Sequence, residues 1–390
     1  MKILAFSTLY PNAARPGHGI FVETRLRQLL GTGRLEAMVV APVPWFPSRS
    51  LWFGRYAAHA AAPREELRHG IRVLHPRYPV LPKAGMSLAP FLLAAAVAPT
   101  LRRLLASGYD FELIDAHYAY PDGVAAALLG RYLDKPVVIT ARGTDLNVIP
   151  DYAVPRRLIL WSAHRAAAFV TVSASLQHAA VGLGIEADKL VVLRNGVDAA
   201  FFHPVDRAVE RAALGLKGIV VLSVGNLVPG KGHDLVIQAL ASLPDSRLLI
   251  AGEGTERARL ERLARRLGVA ERTSFLGALP QERLVRYYGA ADALVLASER
   301  EGWPNVLLES MACGTPVIAT NVGGCAEVIA APEAGLLLPE RSADAIGRAI
   351  VQLTGSGISR EATRRYAEQF SWAATTAGQL QLFDRIVSGK

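Results

Sequence analysis

Two cysteines, Cys313 and Cys325, are all that the 390 residues contain. They cannot build a disulfide framework or a multi-cysteine zinc cluster, and their scarcity fits a reducing cytosol. Long hydrophobic runs are missing too. The most apolar stretch, residues 84–101, is broken by Pro90 and Pro99 and is too short and interrupted to be expected as a membrane span. The N-terminus, MKILAFS, has one lysine and a brief apolar run without the longer core or cleavage site of a signal peptide, and reads as a first strand. No Asp-x-Asp pair occurs, so the paired carboxylates that often hold a divalent cation are absent. There is no internal repeat and no low-complexity tract.

What is present is enough for two hydrophobic cores. Apolar residues make up 51% and charged ones 20%, and a chain of this length normally splits into two domains. Short β-branched runs at residues 2–7, 37–41, 113–116, 137–140 and 169–172 alternate with amphipathic stretches. The series resumes at 191–193, 219–224, 247–251, 293–296 and 317–319, with helices expected over 256–267 and 342–353. This pattern predicts α/β architecture, two doubly wound parallel sheets covered on both faces. The turn-rich segment from Asn195 to Pro204 marks the boundary, giving domains at 1–195 and 196–369 and a terminal helix over 370–390. Residues 1–190 carry 21 Lys and Arg against 13 Asp and Glu, whereas the rest is nearly balanced. A basic N-terminal half suits an anionic partner such as phospholipid, a phosphorylated acceptor or nucleic acid.

The most informative string follows the strand at 293–296: Ser298-Glu299-Arg300-Glu301-Gly302-Trp303-Pro304-Asn305-Val306-Leu307-Leu308-Glu309-Ser310-Met311-Ala312-Cys313-Gly314-Thr315-Pro316-Val317. Pro304 suits a first helical turn. The amides of Trp303, Pro304's neighbour Asn305 and Val306 would then crown a helix start, a favourable place for phosphate or sugar hydroxyls. Glu301 and Glu309 bracket that start, and ionised carboxylates can accept two hydrogen bonds from a vicinal diol. Alone, the pair fits a solvated helix face equally well.

This string resembles the Glu-(seven residues)-Glu signature of retaining family 4 glycosyltransferases, and Gly323-Gly324 followed by Glu327-Val328-Ile329 lies at the matching distance. The resemblance implies the GT-B fold: two Rossmann-like domains facing across a cleft, with a C-terminal helix crossing back to the first. It assigns donor-sugar hydroxyls to Glu301, with Gly302, and the ribose to Glu309. Gly225-Asn226-Leu227 and Gly230-Lys231-Gly232 match its phosphate loop, with Lys231 on the diphosphate. Asn226 stands where the family usually has arginine, so one cation is missing. Gly252-Glu253-Gly254 matches the turn near the base. Gly17-His18-Gly19 matches the glycine loop between donor phosphates and acceptor; an ordinary exposed turn is the alternative there.

His117 occupies the second place of a family His-x-His motif, near the reacting carbon, with Asp115 in the first; a structural histidine at the strand end is the alternative there. Tyr118, Arg142 and Asp145 fall on the acceptor side, as does His18. Catalysis is thus expected from His117, Glu301 and Lys231, with no cofactor and no metal, because Lys231 and backbone amides carry the leaving charge. The resemblance points to transfer of a hexose-type sugar from a nucleotide diphosphate sugar, such as a UDP sugar, to a glycan or lipid-linked acceptor in exopolysaccharide, lipopolysaccharide or other cell-envelope synthesis. A nucleotide-sugar epimerase of the same architecture is the alternative enzyme. A basic nucleic-acid-binding protein is the non-enzymatic one, disfavoured by scattered arginines and the lack of a recognition motif. The expected location is cytoplasmic, with peripheral attachment to the inner face of the cytoplasmic membrane as an option. That option rests on the basic half, on the cluster at Trp45-Phe46 and Trp52-Phe53, and on the apolar run before Arg102 and Arg103.

Overall fold

A computed structural model describes residues 1–50, 52, 54–81 and 85–389, with only the backbone of Arg55. The chain divides into two compact units, Met1–Arg194 with Ala374–Lys390, and Asn195–Ala373.

Unit 1 opens with β1 (Lys2–Phe6), α1 (Ile20–Leu30), β2 (Glu36–Val40) and β3 (Val43–Pro44). There follow α2 (Arg55–Ala61), β4 (Glu65–Arg68), β5 (Ile71–Leu74), β6 (Arg77–Tyr78) and the long α3 (Gly85–Ala106). Next come β7 (Leu113–His117), a kinked turn at Ala119–Gly123 with Tyr120 extended, α4 (Val124–Leu133), β8 (Val137–Ala141) and α5 (Thr144–Asn147). The run ends with α6 (Ala153–Arg165), β9 (Ala168–Thr171), α7 (Ala174–Leu183) and β10 (Leu190–Val192). The main sheet has the order β10-β9-β8-β7-β1-β2-β5-β4. Its pairs are parallel except the β4–β5 hairpin. Central strands β7 and β8 are buried at every position, as sheets covered on both faces require. The edge strand β4, EELR, alternates exposed and half-buried residues, and charges there discourage further pairing.

Unit 2 runs α8 (Arg207–Ala213), β11 (Ile219–Val224), α9 (His233–Leu240), β12 (Ser246–Ala251) and α10 (Arg257–Arg266). It continues with β13 (Thr273–Gly277), α11 (Gln281–Ala290), β14 (Ala293–Leu296), α12 (Asn305–Ala312) and β15 (Val317–Thr320). Then come α13 (Cys325–Val328), β16 (Gly335–Leu338), α14 (Ala343–Gly355) and α15 (Arg360–Glu368). The sheet order is β13-β12-β11-β14-β15-β16, parallel throughout. Where the chain enters and leaves this unit its two passages lie side by side: the Val197 amide donates to the Phe370 carbonyl at 2.8 Å.

The last helix, α16 (Trp372–Val387), belongs from Ala374 onward to unit 1. Its Leu380, Leu382 and Phe383 enter the same core as Ile3, Val22 and Leu26, each worth roughly 1.5–3 kcal/mol of burial. Helix α3 is long and apolar enough to cross a membrane by length and composition alone. Leu93, Val97 and Leu101 on it have no exposed surface, so one face belongs to the protein core. Pro90 cannot donate to the Met86 carbonyl one turn back; the Tyr120 hydroxyl donates to it instead. Of the aromatic cluster, Trp45 and Trp52 are exposed, while Leu51, Phe53 and the Arg55 side chain lie outside the described residues.

Each sheet has one switch point, between β1 and β7 in unit 1 and between β11 and β14 in unit 2. Ligands of doubly wound sheets bind beyond the strand ends at such points. The loops there are residues 7–19 and 118–123 in the first unit, and 225–232 and 297–304 in the second.

Candidate active site

In unit 2 the loop after β11 is held by its own backbone. The Gly225 amide donates to the Ala251 carbonyl at 3.0 Å, and the Gly252 amide to the Gly277 carbonyl at 2.8 Å. Asn226 lies exposed at the bend. Gly232 has φ +74°, and a Cβ there would stand 2.0 Å from the Ala297 carbonyl oxygen, so only glycine fits where the loop turns into α9. That constraint aims Lys231. Its Nζ donates to Glu301 Oε1 at 2.6 Å, with the glutamate side chain 12% exposed. The Glu299 amide bonds the Gly230 carbonyl at 2.7 Å, tying the two loops together on either side of the ion pair. Beside them His233 is buried, its Nδ1 2.9 Å from Ser223 Oγ. Burial lowers that imidazole to about 4.

Helix α12 starts one residue later than the sequence suggests. Pro304 is its cap rather than its first residue, because the Asn305 amide turns back to the Trp303 carbonyl at 3.1 Å. Asn305 Oδ1 accepts from Asn195 Nδ2 at 3.2 Å. Gly302 and Trp303 are buried and Val306 half-buried, with the Trp303 ring 6.3 Å from that of Phe370. Glu309 lies on this helix, half-buried, and its Oε2 accepts from the Tyr288 hydroxyl at 2.8 Å. Burial raises its carboxyl to about 7, although Tyr288 and Gln281 pull it back. Tyr288 carries no sequence signal: on the amphipathic α11 it reads as an ordinary core tyrosine.

In unit 1 the residues after β1 and β7 form a buried polar cluster. Thr8 donates to Asp122 through its amide at 2.6 Å and its hydroxyl at 2.9 Å, and Ser7 Oγ adds a longer contact. Burial pushes the Asp122 carboxyl up to about 7 against these donors. His18 is fixed in one tautomer. Arginine can only donate, so Nδ1 accepts from Arg15 Nη2 at 3.0 Å, and Nε2–H donates to the Thr8 carbonyl at 3.1 Å. Burial, then Arg15, lowers His18 to about 4. Gly19 caps α1 at φ +70°, 2.3 Å from the Leu9 carbonyl oxygen for any added Cβ, whereas Gly17 has open space around it.

His117 is 1% exposed and both ring nitrogens are engaged. Nδ1 accepts from Arg142 Nη2 at 2.7 Å, and Nε2–H donates to Asp115 Oδ2 at 3.2 Å. Burial, opposed by Asp115 and assisted by Arg142, holds the imidazole below its ordinary pKa. Burial alone would raise Asp115, but His117, Arg25 and Arg142 outweigh it and hold the carboxyl low. Asp115 Oδ2 also accepts from Gln379 Nε2 at 3.0 Å, and Gln379 Oε1 accepts from Arg25 Nε at 2.5 Å. Arg142 is half-buried, over the Phe21 ring at 5.2 Å. Asp145 is fully buried and receives the amides of Ala119 at 2.7 Å, Gly143 at 2.7 Å and Arg142 at 3.0 Å. It therefore shapes the loops around Tyr118, which is half-buried, and offers no surface of its own. Arg25 and Gln379 were not visible as site residues in the sequence.

Two family profiles match the chain, one described as Glycosyl transferases group 1 over residues 206–370 and one as Glycosyltransferase Family 4 over residues 55–201. With a relative 32% identical across most of its length, the chain belongs to this family of glycosyltransferases, and its two Rossmann-like units with a C-terminal helix are the GT-B fold. That relative is TuaC of Bacillus subtilis (strain 168), aligned over 362 residues, 90% of this chain and 89% of its own. Its name provisionally assigns it as a glycosyltransferase of teichuronic acid biosynthesis. Among solved structures, sucrose-phosphate synthase from Thermosynechococcus elongatus superposes with a TM-score of 0.81 at 22% identity, over 100% of both chains. Anabaena HepE, solved in complex with UDP-glucose, gives 0.76 at 22% identity, also over 100% of both. Likeness at that identity speaks for the fold.

Proposed function

We propose that this glycosyltransferase moves a hexose-type sugar from a UDP sugar to a glycan or lipid-linked acceptor, with retention of configuration, in synthesis of a cell-envelope polysaccharide. The observation that carries the reading is the Lys231–Glu301 pair, 2.6 Å apart, at the switch point of unit 2 with the half-buried Glu309 on the adjoining helix. A cation for the diphosphate and two acceptors for sugar and ribose hydroxyls are what a nucleotide sugar needs. The likeness to TuaC supports an envelope polysaccharide, and the UDP-glucose complex of HepE supports uridine as the base.

No carboxylate is assigned as a covalent nucleophile, so retention proceeds by departure and attack on one face. The leaving phosphate takes the acceptor's proton. Lys231 and loop amides stabilise the charge that develops on it, without a metal. His117, engaged with Asp115 and Arg142, orients the sugar through Arg142. A thermal-shift panel of nucleoside diphosphates and their sugars tests the reading, since a ligand stabilises the state it binds. UDP and one UDP sugar should raise the midpoint, and Lys231→Ala should reduce the rise. No response to any nucleotide would overturn it.

A further inference from the structure

Glu309 and Glu301 differ in what offsets their charge. Glu301 has the Lys231 ammonium at 2.6 Å. Among the described residues no lysine or arginine pairs with Glu309, and neutral donors alone favour its ionised form, the Tyr288 hydroxyl first and then Gln281. Both come from α11. They stand seven residues apart, about two turns, and so share one face of that helix, with Leu284 and Val285 buried between them.

Tyr288 has no exposed surface and is held from three sides. Its ring meets that of Phe202 edge-on at 6.2 Å, its carbonyl accepts from Thr315 Oγ1 at 2.6 Å, and its hydroxyl donates to Glu309 Oε2 at 2.8 Å. Burial, then Glu309 itself, raises the phenol well above its ordinary pKa, so it serves the carboxylate as a donor throughout the working range. Cys313, one turn on from Glu309 at the end of α12, stays neutral as well. Burial, then Glu309, raises its thiol to about 12 against Arg364 and Arg360. A half-buried carboxylate without a cation is a good acceptor only if something fixes its plane and favours its charge. The hydroxyl does both. It occupies one lone-pair site of Oε2, and a carboxylate has about four.

We infer that Tyr288 is a positioning residue for the nucleotide: its hydroxyl turns and holds the Glu309 carboxylate as the acceptor that tells ribose from a sugar lacking the vicinal hydroxyls. This rests on the reading of unit 2 as the UDP-sugar site and adds to it a side chain that sets specificity through another.

Calorimetry of the full chain with UDP and with its 2′,3′-dideoxy analogue, between about pH 6 and 9, tests it. The two ligands carry the same diphosphate, so the ratio of their affinities cancels the titration of phosphate and of the groups around it. In the wild type UDP should be favoured by about tenfold or more at pH 8, and the preference should shrink as pH falls through about 7, where Glu309 takes up its proton. Tyr288→Phe keeps the ring and removes the hydroxyl. Its preference should fall to about threefold or less at pH 8, and the onset of discrimination should move to higher pH. The dideoxy analogue should bind as it does to the wild type, which shows that the variant is folded. With Glu309→Ala already made, Tyr288→Phe should change the ratio no further. A ratio equal to that of the wild type in size and pH onset makes Tyr288 a packing residue and overturns the inference, as does an equal loss of affinity for both ligands. If the wild type binds both ligands alike, the ribose contact and this inference fall while the nucleotide site stands. If it binds neither, the UDP-sugar reading falls with them.

Discussion

Replacing Glu309 with Gln should make the protein more stable above neutral pH and a poorer binder of nucleotide. The native state lifts this carboxyl from 4.5 to about 7, chiefly through burial. A folded pKa above the unfolded one means that the native state holds the proton more tightly. The resulting stability is full below pH 4.5 and is lost as pH climbs through 7. At about 1.4 kcal/mol per pH unit the whole span is about 3 kcal/mol. Glutamine cannot ionise, yet it still accepts from the Tyr288 hydroxyl. Glu309→Gln should therefore exceed the wild type by about 2–3 kcal/mol at pH 8 and match it near pH 4. Its thermal midpoint at pH 8 should rise by roughly 4–10 °C. The same change removes a charged acceptor for ribose, costing about 1.5–3 kcal/mol of UDP affinity. Denaturation at both pH values and calorimetry with UDP measure the two effects. A variant no more stable at pH 8 than at pH 4, relative to wild type, would refute the burial argument; unchanged UDP affinity would refute the ribose assignment.

Lys231→Ala should weaken UDP binding by roughly tenfold or more through loss of a charged hydrogen bond, and unchanged calorimetry would remove it from the phosphate site. Gly232→Ala must place a Cβ 2.0 Å from a backbone oxygen at φ +74°. A loss of about 3 kcal/mol or more should follow, and a wild-type denaturation midpoint would contradict that geometry. Gln379→Ala strips a hydrogen-bond partner from both Arg25 and Asp115 inside the core, while Asp115 keeps His117 and Arg25 keeps the Leu193 carbonyl; each lost bond to a charged group costs about 1.5–3 kcal/mol, and near-normal urea unfolding would show that the network is dispensable. Turnover should survive EDTA, and activity abolished by chelation and restored by magnesium would show that the leaving charge is held by a metal.

Much of the sheet framework was legible because buried parallel strands announce themselves as unbroken β-branched runs. The expected strands at 219–224 and 293–296 coincide with β11 and β14, and the others shift by a residue or so. The strands that escaped were those without such runs. Strand β4, EELR, is mostly charge at a sheet edge, and β13, TSFLG, is mixed and half-buried. Glu301 and Glu309 were legible as candidates because motif and helix start coincide. Arg25 was not. In IFVETRLRQLL it looks like any charge on a solvent face, and its burial is set by Gln379, 354 residues away. His117 was legible as a residue but not in its surroundings, since nothing local tells that both ring nitrogens are engaged.

The passage of α16 into unit 1 has a consequence for biosynthesis. Chains leave the ribosome N-terminus first, and domains usually fold in that order. Here Asn195–Ala373 is contiguous and can close as soon as it emerges, whereas Met1–Arg194 lacks Leu380, Leu382 and Phe383 from its core. Arg25 and Asp115 also wait for Gln379. The first half to be translated is thus the last to be finished, its core incomplete until α16 has emerged. A premature stop within the codons of α16 would leave the C-terminal unit intact and strike the N-terminal one.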